Sequence, residues 1–411
     1  MKFFLYSAFV MGLAAFLGGC TSEQPTAPTT QTSIGTKGNL KTVASTATIN
    51  AGTVQQTIRG FGGANIVDWT GDMTSAQRTQ AFSTSSGIGL SVLRVRVSPD
   101  NTQWSDNVAT MNAAKSSGAM VIATCWSPPA SMKTNNSTIG GDLSTGSYSA
   151  YASFLSSFCS TVGGVSAISP DNEPNITVSY ESMNMSATEI GNFIASYGGN
   201  CGAPIMAPEP YNMSQSFINS YLSNSTAKSK TSYVCGHIYG VTPSTYNPGK
   251  EVWMTEHYTD TNDGNGWPGA LGVATDIHNC MNAGYTMYVW WYIVRSYGLI
   301  NSSGITKRGY VMAHYARYVR PGYSKISCTA NPTSGVYVTA YKSGSQIVVV
   351  AINNNTSTTY QAFSYSGVTI SGFDRYQTTS SSNLAHDSFS ASAGSFGINL
   401  QASSMTTLVS H

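Results

Sequence analysis

Two glutamates stand in settings suited to proton transfer and nucleophilic attack: Glu173, in Asp171-Asn172-Glu173-Pro174, and Glu256, in Thr255-Glu256-His257-Tyr258. Each closes a short apolar run that reads as a β-strand. Two carboxyl groups facing one cleft can cleave a glycosidic bond. One delivers a proton to the leaving oxygen and the other attacks the anomeric carbon, the covalent route needing a separation of about 5–5.5 Å. A single strand-end glutamate is more simply an ion-pair partner or a helix cap, and Asn-Glu-Pro is short enough to recur by chance. The pair is informative because of where its members fall among the strands. Glu209, in Ala207-Pro208-Glu209-Pro210, is a rival strand-end carboxylate, ranked lower because its sequence neighbours offer no partner chemistry.

The elements that must position these groups alternate in type. Short β-branched runs near residues 58–66, 90–98, 119–127, 165–171, 203–208, 231–239, 250–257 and 285–293 are separated by helical candidates such as 149–162, 186–197 and 271–283. Runs such as Ser91-Val92-Leu93-Arg94-Val95 and Met120-Val121-Ile122-Ala123 lack alternation, as strands buried on both faces of a parallel sheet do. Eight βα units of this size predict a (β/α)8 TIM barrel over residues 54–320, whose reactive groups project from the C-terminal ends of its strands. Glu173 then ends strand four and Glu256 strand seven, across the barrel mouth from one another. A doubly wound open sheet is the alternative, but no Gly-rich dinucleotide loop follows the first strand.

Past the last helical candidate, 310–320, the pattern becomes all-β. Val336–Ala340 and Ile347–Ala351 flank a turn at Lys342-Ser343-Gly344-Ser345, a hairpin signal. Residues 321–411 are therefore expected to form a β-sandwich side domain, joined by the strand-like stretch 41–53.

Charged residues make up only 9% of the chain, against about 25% in an average soluble protein. Ser, Thr, Asn, Gly and 24 Tyr take their place, a surface suited to neutral polymers met by hydrogen bonds and ring stacking, and equally a habit of exported proteins. A formal charge of +2 offers no basic stripe for nucleic acid. His residues are scattered singly and no CxxC pair occurs, so neither a metal nor a cofactor is expected. At the N-terminus, Met1-Lys2 and an apolar run to Phe16 read as a signal peptide. It ends in Leu17-Gly18-Gly19-Cys20, like a bacterial lipobox. Residues 1–20 are thus a lipoprotein-type signal, with Cys20 as the lipidated anchor to the outer membrane or cell surface. Residues 21–40 are a flexible linker. The protein is expected to be an exported monomer, a cell-surface or periplasmic lipoprotein or otherwise secreted. The remaining six cysteines allow disulfides in that compartment.

From about residue 40 to 411 the chain resembles glycoside hydrolase family 30, and within it the bacterial glucuronoxylan-cleaving xylanases. The resemblance is carried by Ile58-Arg59-Gly60-Phe61-Gly62-Gly63, Trp126-Ser127-Pro128-Pro129, Asn172-Glu173-Pro174, His237-Ile238-Tyr239-Gly240, Thr255-Glu256-His257-Tyr258, Trp290-Trp291-Tyr292 and Arg320-Pro321-Gly322. It implies a retaining endo-β-1,4-xylanase acting on glucuronoxylan, with Glu173 as acid/base, Glu256 as nucleophile and a β side domain built from both chain ends. Glu173 should then arrive protonated and Glu256 ionised, held by Tyr239, Arg59 or Arg94. Asn172 is expected on the 2-hydroxyl of the sugar being cleaved. Trp126 and Trp290 are candidate stacking walls, with core packing as the plain alternative, and His237 fits a structural role as well as a functional one.

The run Tyr292-Ile293-Val294-Arg295-Ser296-Tyr297-Gly298 resembles the loop that holds a glucuronic acid branch. The resemblance implies that Arg295 pairs with the branch carboxylate and Tyr297 supplies a second contact, a guanidinium being suited to such a bidentate bond. Two positions depart from the pattern. Thr261 replaces a serine but keeps its hydroxyl, whereas Val294 replaces an arginine and removes a positive charge beside the branch. Two other readings remain: a branch-independent xylanase or other β-glycanase, and a non-catalytic carbohydrate-binding surface lipoprotein.

Overall fold

The computed structural model describes residues 45–259, 262–263 and 265–411. The signal-peptide, lipobox and linker readings, Cys20 among them, lie outside the described residues, as does Thr261. A closed parallel barrel forms from Gly60–Ala64, Val92–Val97, Met120–Cys125, Ala167–Ser169, Ile205–Pro208, Thr231–His237, Glu251–His257 and Met287–Tyr292, called here strands one to eight. The (β/α)8 reading of the sequence holds, with one local difference. Strand six passes to strand seven through residues 238–250 without a helix. That segment carries Gly240, Pro243, Pro248 and Gly249, which interrupt helical hydrogen bonding and conformation. Several helices start where a side chain caps the first turn. Ser186 accepts from the Glu189 amide while the Glu189 side chain reaches back, closing a capping box on Ala187–Tyr197.

The barrel interior has two layers. Its lower layer is apolar: Val92, Ile122, Ala167, Met206, Cys235, Trp253, Met287 and Val289. Two residues further along strands two, three, four and six, the inward positions become Arg94, Thr124, Ser169 and His237, because side chains on a strand alternate with period two. The plug closes the bottom of the barrel and the polar layer forms the floor of its mouth.

Nine further strands form one hydrogen-bonded sheet rather than the two facing sheets expected of a sandwich. The chain start, Ala47–Thr57, pairs antiparallel with Ser324–Cys328 and parallel with Thr359–Ser366, so both chain ends build the side domain. That first strand runs beyond residue 53 to Thr57, and the Ile58 amide then donates to the Tyr323 carbonyl as the two segments pass together at the barrel. The sheet curls on itself. Phe373, near one end of the strand order, and Phe396, in the last strand of the other, have ring centroids 4.6 Å apart over a common core. Its other face shares the barrel's core through Tyr341, Val348, Val350, Ile352 and Met405, against the helices Trp267–Asn282 and Lys307–Ala316. The described residues thus make one compact unit. The six described cysteines are all free.

Candidate active site

A cleft of about 370 Å³ opens at the barrel mouth, lined by Trp69, Trp126, Asn172, Glu173, Tyr180, Tyr211, Tyr239, Glu256, Tyr258 and Trp291. Aromatic side chains dominate it, and two carboxyl groups stand on its floor. Glu173 follows strand four with φ 52°, a left-handed conformation uncommon for a non-glycine residue, and its amide donates to the Glu209 carbonyl at 3.0 Å. Glu256 is turned to the mouth by a shift in pairing: Gly236 is opposite Met254, but His237 is opposite Glu256. The extra residue, Thr255, makes a bulge, a common device for re-aiming a side chain beside a site. Oxygens of Glu173 and Glu256 and a ring nitrogen of His237 all lie within 4.8 Å of one another.

Each carboxyl is held by specific donors. Glu256 accepts from Tyr239 Oη at 2.8 Å and Arg94 Nη1 at 2.5 Å. Glu173 meets His237 Nδ1 at 2.7 Å and Tyr180 Oη at 3.5 Å. Arg94 also donates through Nη2 to Asn172 Oδ1 at 2.8 Å, which leaves the Asn172 NH2 group as its donor at the cleft. The guanidinium lies 4.5 Å from the centre of the Trp126 ring, so that side chain is at once a wall of the cleft and a cover over Arg94.

Beneath them Glu209, fully buried, contacts Arg94 Nη2 at 3.2 Å, Thr124 Oγ1 at 3.1 Å and His237 Nε2 at 3.4 Å. Burial opposes its charge, but Arg94 and His237 hold its carboxyl down at about 2. Burial likewise opposes a charged His237, and the surrounding carboxylates Glu256, Glu173 and Glu209 outweigh it, raising the ring to about 9. Burial pushes the Glu256 carboxyl up. His237, Arg94 and the Tyr239 hydroxyl pull against that rise, while Glu173 adds to it. Three carboxyls, Glu173, Glu209 and Glu256, thus surround Arg94 and His237 on the floor of the cleft.

The other expected residues separate. Trp126 and Tyr239 line the cleft. Trp290 does not: it is fully buried between barrel and helices, with Arg308 5.6 Å from its ring centre. Its neighbour Trp291 continues the inward alternation of Met287 and Val289 and reaches the cleft instead. Arg59 is also elsewhere, paired with Glu251 at 2.6 Å where strands one and seven begin, at the opposite end of the barrel from the cleft. Arg295 is exposed beyond strand eight, 4.9 Å from the Tyr292 ring centre. Tyr297 bridges from there to the cleft, its ring 5.5 Å from Tyr258. Val294 packs against the core, and its backbone bridges Ile300.

Sequence reading missed Trp69, Tyr180, Tyr211 and Tyr258 as lining groups, and Glu209 as a partner of the cluster. For Trp291 the alternation from Met287 was a usable signal. Nothing local to Trp69 or Tyr180 announced them, since Trp69 stands on the short helix Val67–Thr70 after strand one and Tyr180 on the loop after strand four.

No family model matches the chain. The glucuronoxylanase XynC of Bacillus subtilis (strain 168) is 38% identical over 389 residues, covering 89% of this chain and 92% of that protein. A glycoside hydrolase family 30 subfamily 8 xylanase, Xyn30A from Clostridium acetobutylicum, superposes with a TM-score of 0.84 at 33% identity, over 89% of this chain and 99% of its own. A family 30 endoxylanase from Clostridium papyrosolvens C71 does so with a TM-score of 0.82 at 30% identity, over 89% and 100%. With the barrel, its attached sheet and this extent of identity together, the chain belongs to glycoside hydrolase family 30, in the branch of the bacterial glucuronoxylanases.

Proposed function

We propose that this glycoside hydrolase cuts the β-1,4-xylan backbone with retention of configuration and prefers xylan bearing glucuronic acid. The observation that carries the reading is the approach of the Glu173 and Glu256 oxygens within 4.8 Å across one aromatic cleft. That spacing suits direct attack by one carboxylate and leaves less room for the intervening water of an inverting mechanism. In the first step Glu173 gives its proton to the departing glycosidic oxygen while Glu256 attacks the anomeric carbon, forming a glycosyl ester. In the second step Glu173, now a base, takes a proton from water as that water displaces Glu256 and frees the sugar. Asn172, oriented by Arg94, donates to the sugar 2-hydroxyl, and Trp126, Trp291 and the cleft tyrosines flank the chain.

The preference for a charged branch rests on Arg295 and Tyr297, which stand outside the cleft but contiguous with it through Tyr258. With Val294 turned into the core, Arg295 alone carries the positive charge expected at the branch. Thr261 supplies the supporting hydroxyl. Export and anchoring through a lipidated Cys20 complete the reading, resting on the N-terminal sequence.

The test is mass spectrometry of products from glucuronoxylan and, separately, from xylan lacking the branch. Cleavage of glucuronoxylan alone, with one branch at a fixed place in every product, is expected. Equal cleavage of both removes the role of Arg295 while leaving the xylanase reading, and cleavage of neither overturns both.

A further inference from the structure

Glu209 is neither exposed nor part of the cleft lining, so it touches no substrate. Yet its side chain meets both cations of the floor, Arg94 at 3.2 Å and His237 at 3.4 Å. Each of those cations in turn holds one member of the pair above, Arg94 binding Glu256 and His237 binding Glu173. Its backbone joins the same assembly: the Glu209 carbonyl accepts from the Glu173 amide at 3.0 Å, and both residues adopt positive φ, 57° and 52°. Such strain in adjacent strand ends persists only where surrounding contacts over-determine it.

We propose that Glu209 is a positioning residue that aims Arg94 and His237 and supplies a fixed negative charge beneath the Glu173–Glu256 pair. This rests on the assignment of that pair as the reacting groups. Without Glu209 the floor would hold two cations against two carboxyls, and an ionised pair would then be balanced. Other titratable neighbours do not alter the count. Burial pushes the Asp171 carboxyl, the Cys235 thiol and the Tyr239 phenol above their ordinary ranges, which disfavours further charge there. Thr124, and Ser169 on the neighbouring strand, contribute hydroxyls only.

The experiment is the pH profile of kcat/KM on glucuronoxylan for the native enzyme, Glu209→Gln and Glu209→Asp, with Glu173→Gln and Glu256→Gln as reference. Removing a neighbouring negative charge lowers every proton affinity around it. Glu209→Gln is therefore expected to move the alkaline limb down by about one pH unit. Glu209→Asp, which keeps the charge but shortens the reach, should leave the limb in place and reduce kcat. A purely structural role would reduce activity without moving the limb, and an unshifted limb in a folded Glu209→Gln overturns the proposal. Native activity in Glu173→Gln or Glu256→Gln would instead overturn the assignment of the pair. If Glu209→Gln does not fold, 15N NMR of His237 in the native chain decides. A cationic ring at about pH 7.5, above the ordinary histidine range, is required, and a neutral ring there sinks the idea.

Discussion

His237 and His314 are both fully buried, one on the floor of the barrel mouth and one in the seam between barrel and sheet. At the mouth, His237 is surrounded by carboxylates that outweigh burial and hold its proton to about 9. In the seam, His314 meets only hydroxyls, Thr407 at 2.8 Å on Nδ1 and Thr378 at 2.8 Å on Nε2. Burial, aided by nearby Arg317, lowers it to about 3. Depth alone therefore does not set charge; the neighbouring groups do. The seam is built for stability, each ring nitrogen matched to a neutral partner. The mouth instead concentrates five ionisable groups, Arg94, Glu173, Glu209, His237 and Glu256, where repulsion and desolvation must be offset by mutual contacts.

The contrast breaks most visibly at the reacting pair. Glu256→Gln should reduce glucuronoxylan hydrolysis by about 10⁴-fold or more, and Glu173→Gln by about 10²–10⁴-fold, measured as initial rates of reducing-end release. Neither should lower the melting temperature, because each relieves like-charge crowding.

The two histidines should give opposite pH dependences of stability. His237 has a raised native value, so its contribution is complete below about 6.5 and is lost as pH rises through about 9; that interval corresponds to about 3 kcal/mol. His314 has a lowered value, so its contribution is present above about 6.5 and is lost as pH falls towards about 3. Thermal melts from acid to alkaline pH should show His237→Gln flattening the alkaline decline and His314→Gln the acid one. Equal effects on both limbs would contradict the contrast.

At the rim the expected effects are smaller. Arg295→Ala should lower kcat/KM on glucuronoxylan by about 10–100-fold, the worth of a charge-assisted bidentate bond, while leaving the melting temperature unchanged. The adjacent tryptophans should separate function from packing. Trp291→Ala should raise KM with little change in melting temperature, whereas Trp290→Phe should cost about 1–2 kcal/mol of stability and leave KM unchanged. Urea denaturation and substrate-saturation curves on the same preparations would distinguish them.

Much of the fold was legible because its signals are local. Unbroken apolar runs such as Met120–Ala123, hairpin punctuation at Lys342–Ser345 and the capping pair Ser186 and Glu189 each lie within a few residues. The strand count located Glu173 and Glu256 at ends that face one another. What local patterns could not convey was aim. Strict alternation from Trp253 would turn Thr255 inward; Glu256 faces the mouth only because strand seven carries an extra residue against strand six. The same limit misdirected Trp290, and it left Arg59 as a candidate donor although it pairs with Glu251 at the other end of the barrel.

By itself, then, the sequence determined the barrel, the strands that carry the two carboxyls and the all-β region that follows, because hydrophobic period and turn chemistry are written over short stretches. Only the tertiary structure decided that Glu209 belongs to the cluster, that the sheet curls onto its own core and that His237 meets carboxylates while His314 meets hydroxyls. Those outcomes depend on register between strands and on electrostatics between groups tens to hundreds of residues apart, such as Arg94 and Glu256, and no window of the chain contains them.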